Sequence, residues 1–157
     1  MSRIELAKYR MERAKKMLIK SKDSLQHEHY KLSTNRSYYA MFSAAKALLT
    51  FKEWYPSLLR PTSFSLQLAA KVLPSLKELD ARRHAGIILL FNQYFVKNGI
   101  FPKELSKLLP KAKNIREEVD YRDFVEISKE DAEHQIKNAE KFIHQAEKTM
   151  SEMIWEG

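Results

Sequence analysis

From Tyr38 the apolar side chains fall at Tyr38, Phe42, Ala45 and Leu49, steps of four, three and four that line one stripe of a helix. Tyr39, Met41 and Leu48 widen that stripe until most of the circumference is apolar. Such a helix predicts a place in the middle of a bundle, with partners on several sides. Ala40, Ala44, Ala45 and Ala47 keep the surface small, so that neighbouring helices can come close. Arg36 sits half a turn before the stripe, and no acidic residue lies between Lys31 and Lys52, so its counter-charge must come from elsewhere in the chain.

The same periodicity marks the other elements. Ile4, Ala7, Met11, Ala14, Leu18, Ser21 and Leu25 recur at alternating threes and fours, a helix of about seven turns ending near His29. Leu32-Ser33-Thr34 reads as the break before the central helix, with Ser33 or Thr34 as its N-cap. The central helix runs out near Phe51. Residues 52–83 carry Pro56, Pro61 and Pro74, with a short extra helix expected over Phe64–Leu73. Arg82 to Lys97 reads as the third main helix, stopped by Asn98-Gly99. Pro102 starts a fourth, which Pro110 should kink or break near Leu109. Ser128-Lys129-Glu130-Asp131 is an N-terminal capping pattern, followed by Ala132, Ile136, Ala139, Ile143, Ala146, Met150 and Met153 on one face. The expected architecture over residues 1–157 is a single all-α domain: an up-and-down bundle of four long helices with a short inserted helix.

Composition adds two constraints. The chain of 157 residues has no Cys, which removes disulfides, thiolate metal sites and a cysteine nucleophile, and no apolar run long enough to span a bilayer. A cytoplasmic protein is expected. Net charge is +8, favouring polyanionic partners, but it is unevenly spread. Residues 1–37 hold ten Lys/Arg against four acids, whereas residues 128–157 hold four Lys against seven acids. Lys8, Lys15 and Lys22 form a row seven apart on the first helix and are the candidate RNA contacts; a solvated helix face is the plain alternative.

Three ordered blocks carry a resemblance. They are Asn35-Arg36 and Tyr38-Tyr39-Ala40-Met41-Phe42 with the Ala-rich run to Leu49; His84-Ala85-Gly86-Ile87-Ile88 with Phe91 to Gly99; and Pro102–Leu105 leading to Arg116–Phe124. Together they resemble the HEPN family, small helical domains often encoded beside a minimal nucleotidyltransferase as toxin and antitoxin. The resemblance implies a toxin-like component that binds RNA or cleaves it without metal, and a homodimer with two facing clefts. A minimal nucleotidyltransferase is the implied partner, and no cofactor is implied. Active members have an Arg followed four to six residues later by a His, an imidazole to move the 2′-hydroxyl proton and a guanidinium to steady the phosphate. Here Arg116 is in place, but Tyr121 stands where the His would be. A phenol is a poor general base at neutral pH.

Arg116 and Tyr121 are thus the candidate catalytic pair, with Arg36, Tyr39 and Asp120 as the candidate phosphate-binding cleft. Two structural readings stand beside this one: Arg116 paired with Asp120 one turn on, and Arg36 paired with Glu117, Glu118 or Asp120. His84, beside Arg82 and Arg83, reads as the exposed start of a helix, either a solvated cap or an anion site. His27 and His29, two apart on a helix, point to different faces, so no metal pair is expected. The alternative function is a catalytically silent module that binds a nucleotide or a partner protein through the same cleft.

Overall fold

The structure, a computed structural model, describes residues 2–51 and 76–156, and all its regular elements are helical. They are α1 (Arg3–Gln26), α2 (Tyr30–Phe51), α3 (Leu76–Phe91), α4 (Lys103–Ser106), α5 (Leu108–Tyr121) and α6 (Lys129–Glu156). The all-α bundle expected from the periodicity forms, with five helices of three turns or more among the described residues instead of four. The short helix expected over residues 64–73 lies outside the described residues. No described helix is long and apolar enough to cross a membrane.

α1 starts with a complete capping box. The Ser2 hydroxyl accepts from the Glu5 N–H at 3.2 Å, and the Glu5 carboxylate accepts from the Ser2 N–H at 2.6 Å. Its seam of Ala7, Met11, Ala14 and Ser21 is buried. The break after it comes earlier than the Ser/Thr run suggested. Glu28 takes the left-handed conformation (φ 63°), and the His29 carbonyl accepts from the Ser33 N–H at 2.9 Å, so α2 begins at Tyr30. Ser33 and Thr34 are therefore not caps but buried positions inside the helix. Ser21 of α1 explains the placement of Ser33. Its hydroxyl donates to the Ser33 carbonyl at 2.7 Å, while the Ser33 hydroxyl donates to the Ser21 carbonyl at 2.9 Å. Ser37 Oγ lies 2.7 Å from Ser21 Oγ and closes the set. The shortness of the three-residue link and this reciprocal pairing hold α1 and α2 antiparallel.

α2 is the central element, packed on α1, α3, α5 and α6. Its alanines at 40, 44, 45 and 47 are wholly buried, as close helix approach requires. α3 is already helical at Leu76, six residues before the expected start, and passes into a π-helical turn over Asn92–Val96. Gly99 (φ 72°) ends it, and the N–H groups of Ile100 and Phe101 both donate to the Phe95 carbonyl at 2.9 Å. This turn brings Phe101 against Phe91 and Phe142, with ring centroids 5.0 Å apart in each pair. Pro102 caps α4, and the helix breaks at Lys107, which leaves Pro110 in the first turn of α5. There its missing N–H has no helical partner to lose. Ser128 caps α6 as expected, accepting from the Asp131 N–H at 3.0 Å.

Candidate functional site

α5 runs alongside α2 and delivers Arg116 to its tyrosines. The guanidinium carbon lies 5.0 Å from the Tyr39 ring centroid and 5.5 Å from that of Tyr38, within cation–π range of both. Nε donates to Asp120 Oδ2 at 3.1 Å, one helical turn on. Arg116 is only 8% exposed and Tyr38 is fully buried, whereas Tyr39 and Asp120 reach the surface. Burial works against the charge on Arg116. The Asp120 hydrogen bond and the adjacent Tyr39 and Tyr38 outweigh it, so the guanidinium is held above its ordinary range and stays charged. The ion pair foreseen within α5 therefore forms, with Tyr39 beside it.

Arg36 takes no part in that pair. It is half-buried and makes no ion pair among the described residues, so the alternative pairing with Glu117, Glu118 or Asp120 does not form. Two of those acids have partners one turn away on α5. Glu117 binds Lys113 at 2.9 Å, and Asp120 binds Arg116. Arg36 lies three residues before Tyr39, on neighbouring positions of the α2 surface. Tyr121, 43% exposed, borders an open groove of about 340 Å³ with Asn114, Glu117, Glu118 and Arg122. Two acids on that rim make it a poor phosphate seat.

The basic row on α1 also has partners. Lys15 bridges Glu12 at 3.1 Å and Glu147 at 3.5 Å, and Lys22 meets Glu140 at 2.8 Å. The Glu12 hydrogen bond, then the charge of Glu147, raise the Lys15 ammonium above its usual range. Lys8 rims a groove of about 350 Å³ between α1 and α6, beside Met11, Glu147 and Ile154. The basic excess of α1 thus meets the acidic excess of α6 inside one molecule. The α1 cations facing water include Arg13, Lys16 and Lys20, with exposed Tyr9 one turn before Arg13.

His84 is the residue that sequence reasoning misplaced. Because α3 begins at Leu76, His84 lies mid-helix and is 4% exposed. Its Nδ1 is 2.6 Å from the Tyr38 hydroxyl, and its ring stacks on Phe42 at 4.1 Å and 10°. A helix start would have left it in water, so neither the solvated-cap nor the anion-site reading holds. Position 84 falls three residues before Ile87, on its helical face, and that spacing was the available signal. His27 and His29 also differ from expectation. α1 ends at Gln26, so they lie in the turn, with ring centroids 6.3 Å apart.

A bundle whose central helix carries paired tyrosines against a buried arginine and its surface aspartate defines a class of small helical domain. The chain belongs to the HEPN domain family, whose description matches residues 7–63 and 53–149. It is 30% identical over 149 residues to a "UPF0332 protein" of Thermotoga maritima, covering 95% of this chain and 94% of that one. It is 28% identical over 138 residues to "Putative toxin MJ0142" of Methanocaldococcus jannaschii, covering 88% of this chain and 77% of that one. A second protein of that organism, "Putative toxin MJ0605", is 28% identical over 144 residues, 92% of this chain and 88% of that one.

Proposed function

We propose that this HEPN domain is the toxin-like member of a toxin–antitoxin pair and grips single-stranded RNA at the Arg36–Tyr39–Arg116 cleft. The observation that carries the reading is Arg36: a half-buried guanidinium without a carboxylate partner among the described residues, one turn from the tyrosine that touches Arg116. A cation held partly out of water and left uncompensated within the fold favours an anionic ligand, and a phosphate suits the planar fork of Arg. Tyr39 offers an aromatic face on which a base can stack. The outward cations Arg13, Lys16 and Lys20 supply a second, sequence-independent contact. The names of the Methanocaldococcus relatives support the toxin-like assignment, and the pairing with a minimal nucleotidyltransferase and assembly as a homodimer are part of the same proposal.

Binding dominates over cleavage in this reading. A phenol stands at Tyr121 where the imidazole of active members would be, and loss of one proton-transfer group costs about 10²–10⁴ in rate, so cleavage in EDTA is slow at best. The test is fluorescence anisotropy of a labelled single-stranded RNA against salt. Salt-sensitive binding that Arg36→Gln weakens about tenfold is expected, the size of one charged hydrogen-bonded contact. Binding indifferent to both Arg36→Gln and Arg116→Gln would overturn the cleft. Should the protein bind no RNA but capture a nucleotide or a partner protein at the same residues, the silent-module reading takes its place.

A further inference from the structure

His84 has no role in the reading above, yet it touches both tyrosines that meet Arg116. Nδ1 lies 2.6 Å from the Tyr38 hydroxyl, and the rings of the two residues stack at 5.6 Å. Its edge meets Tyr39 at 5.7 Å and 83°. Phe42 stacks on the imidazole at 4.1 Å, nearly parallel at 10°. The imidazole thus packs against three rings of α2 and is hydrogen-bonded to one of them, Tyr38. Both tyrosines also meet the Arg116 guanidinium.

We propose that His84 is a positioning residue for Arg116, acting through Tyr38. A buried tyrosine ring can turn about χ2 and tilt unless its hydroxyl is tied. The bond to Nδ1 ties it and sets the plane that the guanidinium rests on. The direction of the bond matters as well. When Tyr38 donates its proton to Nδ1, the phenol oxygen gains electron density and shares it with the ring. The ring face becomes more negative, and the cation–π attraction on Arg116 grows. α3 thereby sets the orientation of a side chain carried by α5 through a tyrosine of α2. The consequence for RNA rests on the phosphate-gripping reading of the cleft; the positioning of Arg116 does not.

The experiment separates the two. Arginine Nε–H resonances are recorded on the ¹⁵N-labelled full chain, with Arg116 assigned by its loss in Arg116→Lys. Three variants are compared. His84→Phe keeps the stacking and loses the acceptor, His84→Asn keeps an acceptor near the Nδ1 position, and Tyr38→Phe removes only the hydroxyl. In His84→Phe and Tyr38→Phe the Arg116 signal should move toward that of exposed arginines, with hydrogen exchange faster by about tenfold. The Arg36 signal should stay in place, and His84→Asn should restore much of the native behaviour. An unchanged Arg116 signal in Tyr38→Phe, the gentlest variant and the one to rely on if His84→Phe does not fold, overturns the proposal. In parallel, affinity for the labelled RNA should fall about fivefold in both variants, with no further fall when His84→Phe is added to Arg116→Gln. If the resonance moves and RNA affinity does not, His84 still positions Arg116 and the RNA reading of the cleft is what fails.

Discussion

Lys22 of α1 and Glu140 of α6 meet at 2.8 Å, and Lys15 and Glu147 meet two turns along the same antiparallel seam at 3.5 Å. This pairing assigns the charge asymmetry of the sequence to the fold before any ligand is considered. Two triple variants separate the roles of the α1 cations. Replacing Arg13, Lys16 and Lys20 by Gln should flatten the salt dependence of RNA binding by about 0.7 for each phosphate no longer neutralised. The Lys8, Lys15 and Lys22 triple should change that slope less, and lower stability by no more than about 1 kcal/mol per pair. The reverse order in a salt titration would place the RNA on the α1–α6 seam.

The serine set between α1 and α2 makes a matched pair of stability predictions. Ser21→Ala removes a hydroxyl on which Ser33 and Ser37 both depend and should cost about 1–3 kcal/mol in urea unfolding. Thr34 is equally buried, but its hydroxyl has no hydrogen-bond partner among the described residues. Thr34→Val keeps the shape, sheds an unsatisfied polar atom, and should be neutral or stabilising.

Asp120→Asn keeps the volume but takes the countercharge from a buried guanidinium. The expected loss is about 1–2 kcal/mol, tempered by the exposure of the Asp120 carboxylate. In the double variant with Arg116→Gln the combined loss should be smaller than the sum of the two single losses. Full additivity in thermal melts would show that the ion pair contributes nothing.

Glu5 yields a pH prediction. Its hydrogen bonds to Ser2, first through the backbone and then through the side chain, hold the folded-state pKa below the ordinary 4.5. A depressed carboxylate stabilises the helix start fully above pH 4.5 and loses that contribution as pH falls through its lowered value. The first turn of α1 should therefore fray selectively in acid, seen as faster amide exchange at Leu6 and Ala7. Glu5→Gln should remove this pH dependence while leaving the rest of α1 unchanged.

The homodimer has a test of its own. Phe124 is 98% exposed, three residues after Tyr121, which ends α5. Light scattering should give about twice the 18.5 kDa of the chain, and Phe124→Ser should shift the equilibrium toward monomer. A mass of 18.5 kDa across a wide concentration range would rule out the dimer.

Much of this protein follows from local rules acting within a few residues. Ser128 caps α6, Gly99 ends the helix before it, and Pro110 falls in a first turn, because caps and ring constraints act on adjacent backbone. The Arg116–Asp120 pair is likewise a matter of four residues on one helix. The face of α1 that meets water was also open to arithmetic. At 100° per residue, Arg13, Lys16 and Lys20 lie opposite the buried seam of Ala7, Met11 and Ala14, whereas the row of Lys8, Lys15 and Lys22 flanks it. What the tertiary structure alone decided are contacts between residues far apart in the chain. Ser33 and Thr34 have the chemistry of caps, and only Ser21, twelve residues before Ser33, turns that serine into a rivet between helices. Arg36 makes no ion pair among the described residues, while Lys113 and Arg116 hold Glu117 and Asp120 from one turn away. His84 sits among charged neighbours in sequence, and only the packing of α3 on α2 carries it 46 positions back to Tyr38.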